Sequence, residues 1–479
     1  MDGSSLDTRD QRLGQPSQSE SEKHAGTGLM LGRPRVASLF SGIGGFDRAF
    51  ELAGARVDYQ CELDEYCRAV LQRHWPGLLV SSDIRQVMPS SLPFADVWAA
   101  GFPCQDVSLA RGNHGRTGLR GNHTSLFYEL IRLAKAKEPE VIVLENVVGL
   151  LNSHKGRDFA IILDELMRLD YAVSWRVLNA RYFGVPQSRM RVFLVAWKSN
   201  SSKSLLSVFE ERRSSRTSGG RNDFLIPSVH EATGAIVPQT AYCLAATSGR
   251  HTGNDWSRSY VSYENRLRRP TPTESERLQG FDTDWSIPSD EFRIPARGLD
   301  SERYRAIGNA VAIPVVRWIA ENVVAQIKAP ASNKLGAELS PLTESLPDFR
   351  SSAEPVSIAK LLQASEDQPN FTYRWKSGGT AWKGHVFEAS PTQAPSKIRP
   401  SKFVDVLDME IPDEKYFISA NAAAGMLRRA DKMGRKFFPP MRTALERLVS
   451  SIPSESQTVL NANTEDHDHA FSGLCATGT

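Results

Sequence analysis

Three stretches of this chain place reactive side chains at the ends of apolar runs. Gly101-Phe102-Pro103-Cys104-Gln105 follows Asp96-Val97-Trp98-Ala99-Ala100. A thiol there is a nucleophile where its thiolate is stabilised and an inert buried group where it is not. Pro103 fixes the backbone before it, and Gln105 can pin the loop after it. Glu145-Asn146-Val147 follows Val141-Ile142-Val143-Leu144. A carboxylate at the mouth of a sheet costs solvation unless it has a partner or a task, and capping the next helix is the plainer task. Gln187-Ser188-Arg189-Met190-Arg191 precedes Val192-Phe193-Leu194-Val195. Alternate residues on an extended segment point the same way, so Gln187, Arg189 and Arg191 present one amide and two guanidiniums to one face. They serve there either a substrate or the bracing of neighbouring loops.

The elements that must position these groups are legible from hydrophobic period. From Pro34 to about Trp197 short apolar runs alternate with amphipathic helical patterns. Strands are expected at Val36–Phe40, Val57–Cys61, Val97–Ala100, Val141–Leu144, Ala172–Leu178 and Val192–Ala196. Such alternation means βαβ units and a mostly parallel sheet, which binds ligands at the carboxyl ends of its strands. Phe40-Ser41-Gly42-Ile43-Gly44-Gly45 links the first strand to the first helix, where glycines let a ligand approach the main chain. Glu62 ends the second strand, a place where an acid commonly takes ribose hydroxyls. The turn lacks the full dinucleotide fingerprint, so a nucleoside cofactor such as S-adenosylmethionine fits better than NAD. Asp83-Ile84, at a third junction, suits adenine, or Asp83 simply caps the following turn.

Past Trp197 the periodicity weakens. Residues 199–270 are rich in Ser, Arg, Gly and Thr, and order returns with the helix-start signal Thr271-Pro272-Thr273-Glu274. Tyr304–Ile327 reads as one long buried helix. Residues 329–356 form a Pro/Ser/Ala-rich linker, and 357–452 carry helical patterns of their own. Residues 1–33 and 453–479 read as polar tails, the first disordered and without the apolar core of a signal peptide. The chain has 479 residues, a net charge of +3 and five scattered cysteines, which suits a reducing cytoplasm better than a disulfide scaffold. No run of eighteen apolar residues suggests a membrane span. Basic clusters stand at Arg212–Arg221, Arg266–Arg269 and Arg428–Lys436.

In order, these motifs resemble the DNA cytosine-5 methyltransferases of bacteria and phages. The resemblance runs through Phe40–Gly45, Glu62, Asp83-Ile84, Gly101–Gln105, Thr124-Ser125-Leu126-Phe127, Glu145–Val147, Gln187–Arg191, Glu274–Gly280 and Gly308-Asn309-Ala310-Val311, over residues 34–327. It implies a Rossmann-like catalytic domain from two pieces, 34–198 and 269–328, with a smaller irregular target-recognition region at 199–268 and a C-terminal appendage at 357–452. It also implies that Cys104 attacks cytosine C6, that Glu145 binds the base edge, and that Arg191, with Arg189 nearby as a further catalytic residue, holds its carbonyl oxygen. Phe40, Gly42, Gly44, Glu62, Asp83, Ile84, Pro103, Leu126, Asn309 and Ala310 would hold S-adenosylmethionine, with no metal. Leu63 and Ala310 depart from the common pattern, which more often has an aromatic residue and a serine there. Gln105, Gln187, Thr247 and Arg250 are the candidates for contact with double-stranded DNA, the last two within Leu244–Arg250. A monomer on DNA, near the nucleoid in the cytoplasm, with any cognate restriction endonuclease acting separately, completes the expectation. Tyr416–Asn421 and Gly425–Ala430 resemble a short module of some phage-type members, with Arg428, Arg429 and Lys432 toward DNA. An RNA-directed relative is the first alternative, although Phe102 stands where that branch has proline; a catalytically silent DNA-binding regulator is the second.

Overall fold

The first strand, β1 (Arg35–Leu39), runs from a half-buried arginine into four buried residues and delivers the chain to the glycine turn. The computed structural model describes residues 32–103, 126–209, 225–250, 253–329, 343, 346–349 and 354–451. Cys104, Gln105, Thr124, Ser125, the Arg212–Arg221 cluster and most of both expected tails lie outside the described residues. After β1 come α1 (Gly45–Leu52), β2 (Arg56–Cys61), α2 (Glu65–His74), β3 (Val80–Ser81), β4 (Val97–Ala100), α3 (Leu126–Lys137), β5 (Val141–Val147), α4 (Arg157–Arg168), β6 (Tyr171–Asn179), β7 (Gln187–Ser188) and β8 (Met190–Lys198). The expected strands are therefore all present.

Ten strands form one sheet, and its β8-β5-β4-β1-β2-β3 portion carries the site. From β5 across to β3 every pairing is parallel, whereas β8 runs antiparallel between β5 and β6. Parallel strands read as continuous apolar runs because both faces are covered, and Val97–Ala100 and Val141–Leu144 are wholly buried. Successive residues serve opposite layers. Val97, Ala99, Val141 and Val143 pack toward α1 and α2, while Trp98, Ala100, Ile142 and Leu144 pack toward α3 and α4.

The helix α5 (Ser201–Val208) carries this sheet domain past residue 198, because Ser204 Oγ donates to Val195 O at 2.8 Å and the Trp197 indole donates to Ser207 Oγ at 2.9 Å. The smaller region then uses strands of two or three residues: β9 (Pro227–Val229), β10 (Ile236–Pro238), β11 (Ala241–Tyr242), β12 (Val261–Ser262) and β13 (Leu267–Arg268). Four of them form a sheet in the order β13-β12-β10-β9, and β11 pairs with β7. The Thr271 signal opens α6 (Pro272–Gln279): Thr271 Oγ1 accepts from Glu274 N at 3.1 Å and Glu274 Oε2 accepts from Thr271 N at 2.8 Å.

The single long helix expected over Tyr304–Ile327 is instead two, α7 (Leu299–Asn309) and α8 (Ile313–Lys328), bent by 42°. Ala310 is extended, and Pro314 lies at the start of α8, where its missing N–H costs nothing. Periodicity alone ran across this break. Among the described residues no single helix is long and apolar enough to cross a membrane.

The C-terminal segment joins the rest at two places. Its β14 (Val356–Ser357), α9 (Ile358–Asp367), β15 (Gly378–Trp382) and β16 (His385–Ala389) extend the large sheet, with β15 antiparallel to β6. A Cβ on Gly379 would stand 2.3 Å from the Trp175 ring, so the crossing demands glycine. Farther on, α10 (Ala420–Lys432) and α11 (Pro439–Ser450) pack on Tyr260 and Leu267 of the smaller region.

Candidate active site

The glycine turn is built at a conformational cost. Phe40 holds φ +57°, a left-handed conformation that costs a non-glycine residue roughly 1–3 kcal/mol, and such strain concentrates at functional sites. Gly44, at φ +83°, starts α1, and a Cβ there would meet the Trp75 ring at 2.5 Å. Glu62 reaches across from β2: Oε2 accepts from Gly42 N at 2.7 Å and Oε1 from Asp64 N at 2.8 Å. Burial pushes its carboxyl above the usual range, and the two amide bonds only partly offset this. Asp83 caps the turn at Ile84 and pairs with Arg85 at 2.7 Å, which holds its carboxyl below the usual range. Ile84 is buried beneath it.

Phe40, Gly42, Glu62, Asp83, Ile84 and Pro103 thus follow the carboxyl ends of four neighbouring strands. Leu126 opens α3, whose Arg132 donates to Ile84 O at 3.3 Å and Val87 O at 3.0 Å. Asn309 and Ala310 end α7 beside the glycine turn, where a Cβ on Gly45 would lie 2.8 Å from Val311. Asn309 is exposed, whereas Ala310 is nearly buried.

A second cluster forms where β4, β5 and β8 end. Glu145 of β5 and Arg191 of β8 form an ion pair, with Arg191 Nε 3.0 Å from Glu145 Oε1. A Cβ on Gly101 would lie 3.8 Å from Glu145 Oε2, and Asn146 Nδ2 donates to Phe102 O at 3.3 Å. The segment that leads into Cys104 therefore starts against Glu145 and is tethered by its neighbour.

Gln187, Arg189 and Arg191 share one side, as the alternation predicts, but they divide the work. Gln187 is fully buried: its amide nitrogen donates to Leu278 O at 2.9 Å and its oxygen accepts from Leu244 N at 2.8 Å. The Arg189 guanidinium donates to Leu244 O at 2.9 Å, Gly308 O at 3.2 Å and Ala310 O at 2.7 Å. Burial, and secondarily Arg191, pushes its pKa down. Gln187 and Arg189 together tie the 244 loop to the ends of α6 and α7. Arg191 instead pairs with Glu145.

The 244–250 loop lies hard against α7. A Cβ on Gly308 would meet the Ala245 carbonyl carbon at 2.3 Å, and one on Gly249 would meet the Tyr304 ring at 2.6 Å. Thr247 is engaged by Arg258, which donates to its carbonyl at 2.6 Å and its hydroxyl at 2.7 Å, while Arg250 is exposed.

The structure adds Cys243. Its Sγ lies 3.4 Å from Arg189 and 3.9 Å from Arg191. Burial pushes the thiol up, but the two guanidiniums outweigh it and the net shift is downward. Its sequence neighbours, Tyr242 and Leu244, carry no signal of this placement; only the pairing of β11 with β7 creates it.

Comparison with known proteins agrees with this arrangement. The C-5 cytosine-specific DNA methylase domain matches residues 34–224 and 222–325. The chain belongs to the C-5 cytosine-specific DNA methylase family. It is 31% identical over 309 residues to the type II methyltransferase M2.BsuMI of Bacillus subtilis, covering 60% of this chain and 75% of that one. With M.NlaX of Neisseria lactamica it shares 30% over 333 residues, 63% of this chain and 99% of the relative. With M.NgoBI of Neisseria gonorrhoeae it shares 33% over 327 residues, 63% and 96%. The match to the methylase family ends at residue 325, so strands β14–β16 and helices α9–α11 of this DNA methylase lie beyond it.

Proposed function

We propose that this enzyme transfers a methyl group from S-adenosylmethionine to C5 of a cytosine in a specific sequence of double-stranded DNA. The base is flipped out of the duplex and held by a covalent bond from Cys104 to C6. The observation that carries the reading is the Glu145–Arg191 pair beside the Gly101 turn, at the mouth of the sheet. The target carbon lies inside the stack, and enzymes that act on a base extrude it.

The strand ends after β1–β4 suit the cofactor. Glu62 offers a half-buried carboxylate where ribose hydroxyls need an acceptor, Ile84 offers an apolar contact for adenine, and the space around Gly42 is open. When bound, S-adenosylmethionine supplies the methyl carbon. The remaining work falls to the chain. The Cys104 thiolate adds to C6, the Glu145 carboxyl gives a proton to N3 and accepts a hydrogen bond from the exocyclic amine, and Arg191 stabilises charge on the carbonyl oxygen. Electrons from the broken C5=C6 bond make C5 nucleophilic. After methylation a water molecule takes the proton from C5, N3 returns its proton to Glu145, the double bond re-forms, and the Cys104 thiolate leaves. Arg189 acts by position, fixing the loops around Arg191. The type II names of the relatives extend here only as a proposal that any partner endonuclease is a separate protein.

Labelled-methyl transfer to duplex DNA and to transfer RNA tests this. Label on the duplex, with bisulfite sequencing placing 5-methylcytosine in one sequence context, is the expected result. Label confined to RNA overturns the substrate, and no label on either overturns the reaction.

A further inference from the structure

The helix pair α10–α11 completes the hydrophobic core of the smaller region. Ile418, Met426, Phe437, Phe438, Met441 and Leu445 bury against Tyr260 and Leu267. Polar contacts reinforce the seam: Arg429 pairs with Asp255 at 3.0 Å, Arg447 with Glu264 at 3.1 Å, and Arg266 pairs with Glu414 while stacking on Phe417 with 3.7 Å to its ring centre. Segments about 160 residues apart in sequence thus make one folded layer, by the reasoning that a shared apolar core defines a domain.

The charge left over along α10–α11 themselves has one sign. Asp431 and Glu446 are both taken by Arg442, at 2.8 Å each, and Asp255 by Arg429. Arg428, Lys432, Arg435 and Lys436 are exposed and form no ion pair among the described residues. Arg428 and Lys432 are four residues apart, on one face of α10. Arg435 and Lys436 follow the turn at Gly434, which has φ +59°. The Arg429 side chain, one residue along, comes within 4.0 Å of where a Gly253 Cβ would be, so this end of α10 borders the segment that follows the 244–250 loop.

We propose that α10–α11 belong functionally to the target-recognition domain, and that Arg428, Lys432, Arg435 and Lys436 clamp the DNA phosphate backbone beside the target. The inference rests on the proposed DNA substrate. Phosphate contacts of this kind add affinity independent of sequence and release counterions, so each one steepens the dependence of binding on salt by about one in log–log slope.

The test uses the full-length chain and fluorescent duplexes of about 30 base pairs, one cognate and one scrambled, titrated over a range of salt. The variant R428Q/K432Q/R435Q/K436Q is expected to weaken binding to both duplexes alike, by roughly tenfold or more, and to flatten the salt slope by about two to four. Its turnover at saturating DNA stays that of wild type. The single variants R428Q and K432Q, too mild to disturb folding, each flatten the slope by about one. A matched variant, K360Q/K383Q/K397Q/R399Q, removes the same charge elsewhere and leaves binding unchanged. Wild-type affinity and slope in the first variant, or equal loss in the matched one, overturns the inference while wild-type methyl transfer still upholds the substrate. Failure of wild type to methylate any duplex overturns both.

Discussion

Arg189 and Arg191 stand two residues apart and meet different partners. Arg189 is buried with its guanidinium spread over the carbonyls of Leu244, Gly308 and Ala310. Arg189→Ala leaves three carbonyls without their donor, at about 1–3 kcal/mol for each that water cannot reach. A large fall in melting temperature is expected, with Arg189→Lys recovering part of it. Arg191, paired with Glu145 at the rim, behaves in the opposite way: Arg191→Ala keeps most of the stability and loses about 10²–10³ in kcat, the scale of removing one charge-stabilising donor. Thermal melts and single-turnover assays on both variants decide this. A second residue-scale expectation concerns Asp47, whose carboxyl is pushed up to about 6 by burial, against the opposing bonds from Gln60 and Ser38. Native Asp47 holds its proton more tightly than the unfolded chain does. Its contribution is therefore most favourable below about pH 4 and is lost as pH rises through about 6, by about 3 kcal/mol in all. Asp47→Asn removes this dependence, so denaturant titrations should show the variant gaining on wild type between pH 4 and 7. A constant difference across that range would contradict the assignment. The residue types at the site were legible in sequence because their chemistry is. The division of labour within Gln187–Arg191 was not, because the partners that bury Gln187 and Arg189 come from residues 244, 278, 308 and 310.

At the scale of elements, α6 is where the smaller region, the sheet domain and the C-terminal segment meet. Glu274 caps the helix through Thr271, binds Arg268 with both oxygens at 2.7 and 2.8 Å, and accepts from Asp408 N at 3.0 Å. Arg268 and Glu274 are both fully buried. Breaking such a pair strands a buried cation, so Glu274→Ala is expected to cost about 3–5 kcal/mol, measured by urea unfolding. A loss under about 1 kcal/mol would show that Tyr263 and the Arg269 carbonyl suffice for Arg268. The sequence exposed this helix through its capping box, since the signal is local. Strands of two or three residues such as β10–β13 escaped because alternation needs more residues to register, and the break between α7 and α8 escaped because apolar spacing continued across it.

At the scale of the whole molecule, the family match and the fold do not end together. Residues beyond 325 supply three strands to the large sheet and the helix pair that closes the smaller region's core. A chain truncated at residue 353 leaves the β6 edge unpaired and uncovers Tyr260 and Leu267. Exposed edges and apolar patches invite association. The truncated chain is therefore expected to aggregate, read by light scattering, and a soluble monomer with full activity would contradict this. In sequence the C-terminal segment looked like an appendage, because its joining strand Gly378–Trp382 opens with two glycines and carries no strand alternation. Only the Trp175 ring against Gly379 explains why glycine is there.

The central claim is that Cys104 makes the bond that activates the base. Incubation of the full chain with S-adenosylmethionine and a cognate duplex carrying 5-fluorocytosine at the target tests it most directly, because fluorine at C5 blocks the proton loss that frees the enzyme. A denaturation-resistant protein–DNA complex, mapped to the peptide containing Cys104 and absent from Cys104→Ser, is the predicted result. No covalent complex on a duplex the enzyme methylates, or one that persists in Cys104→Ser, would contradict the account.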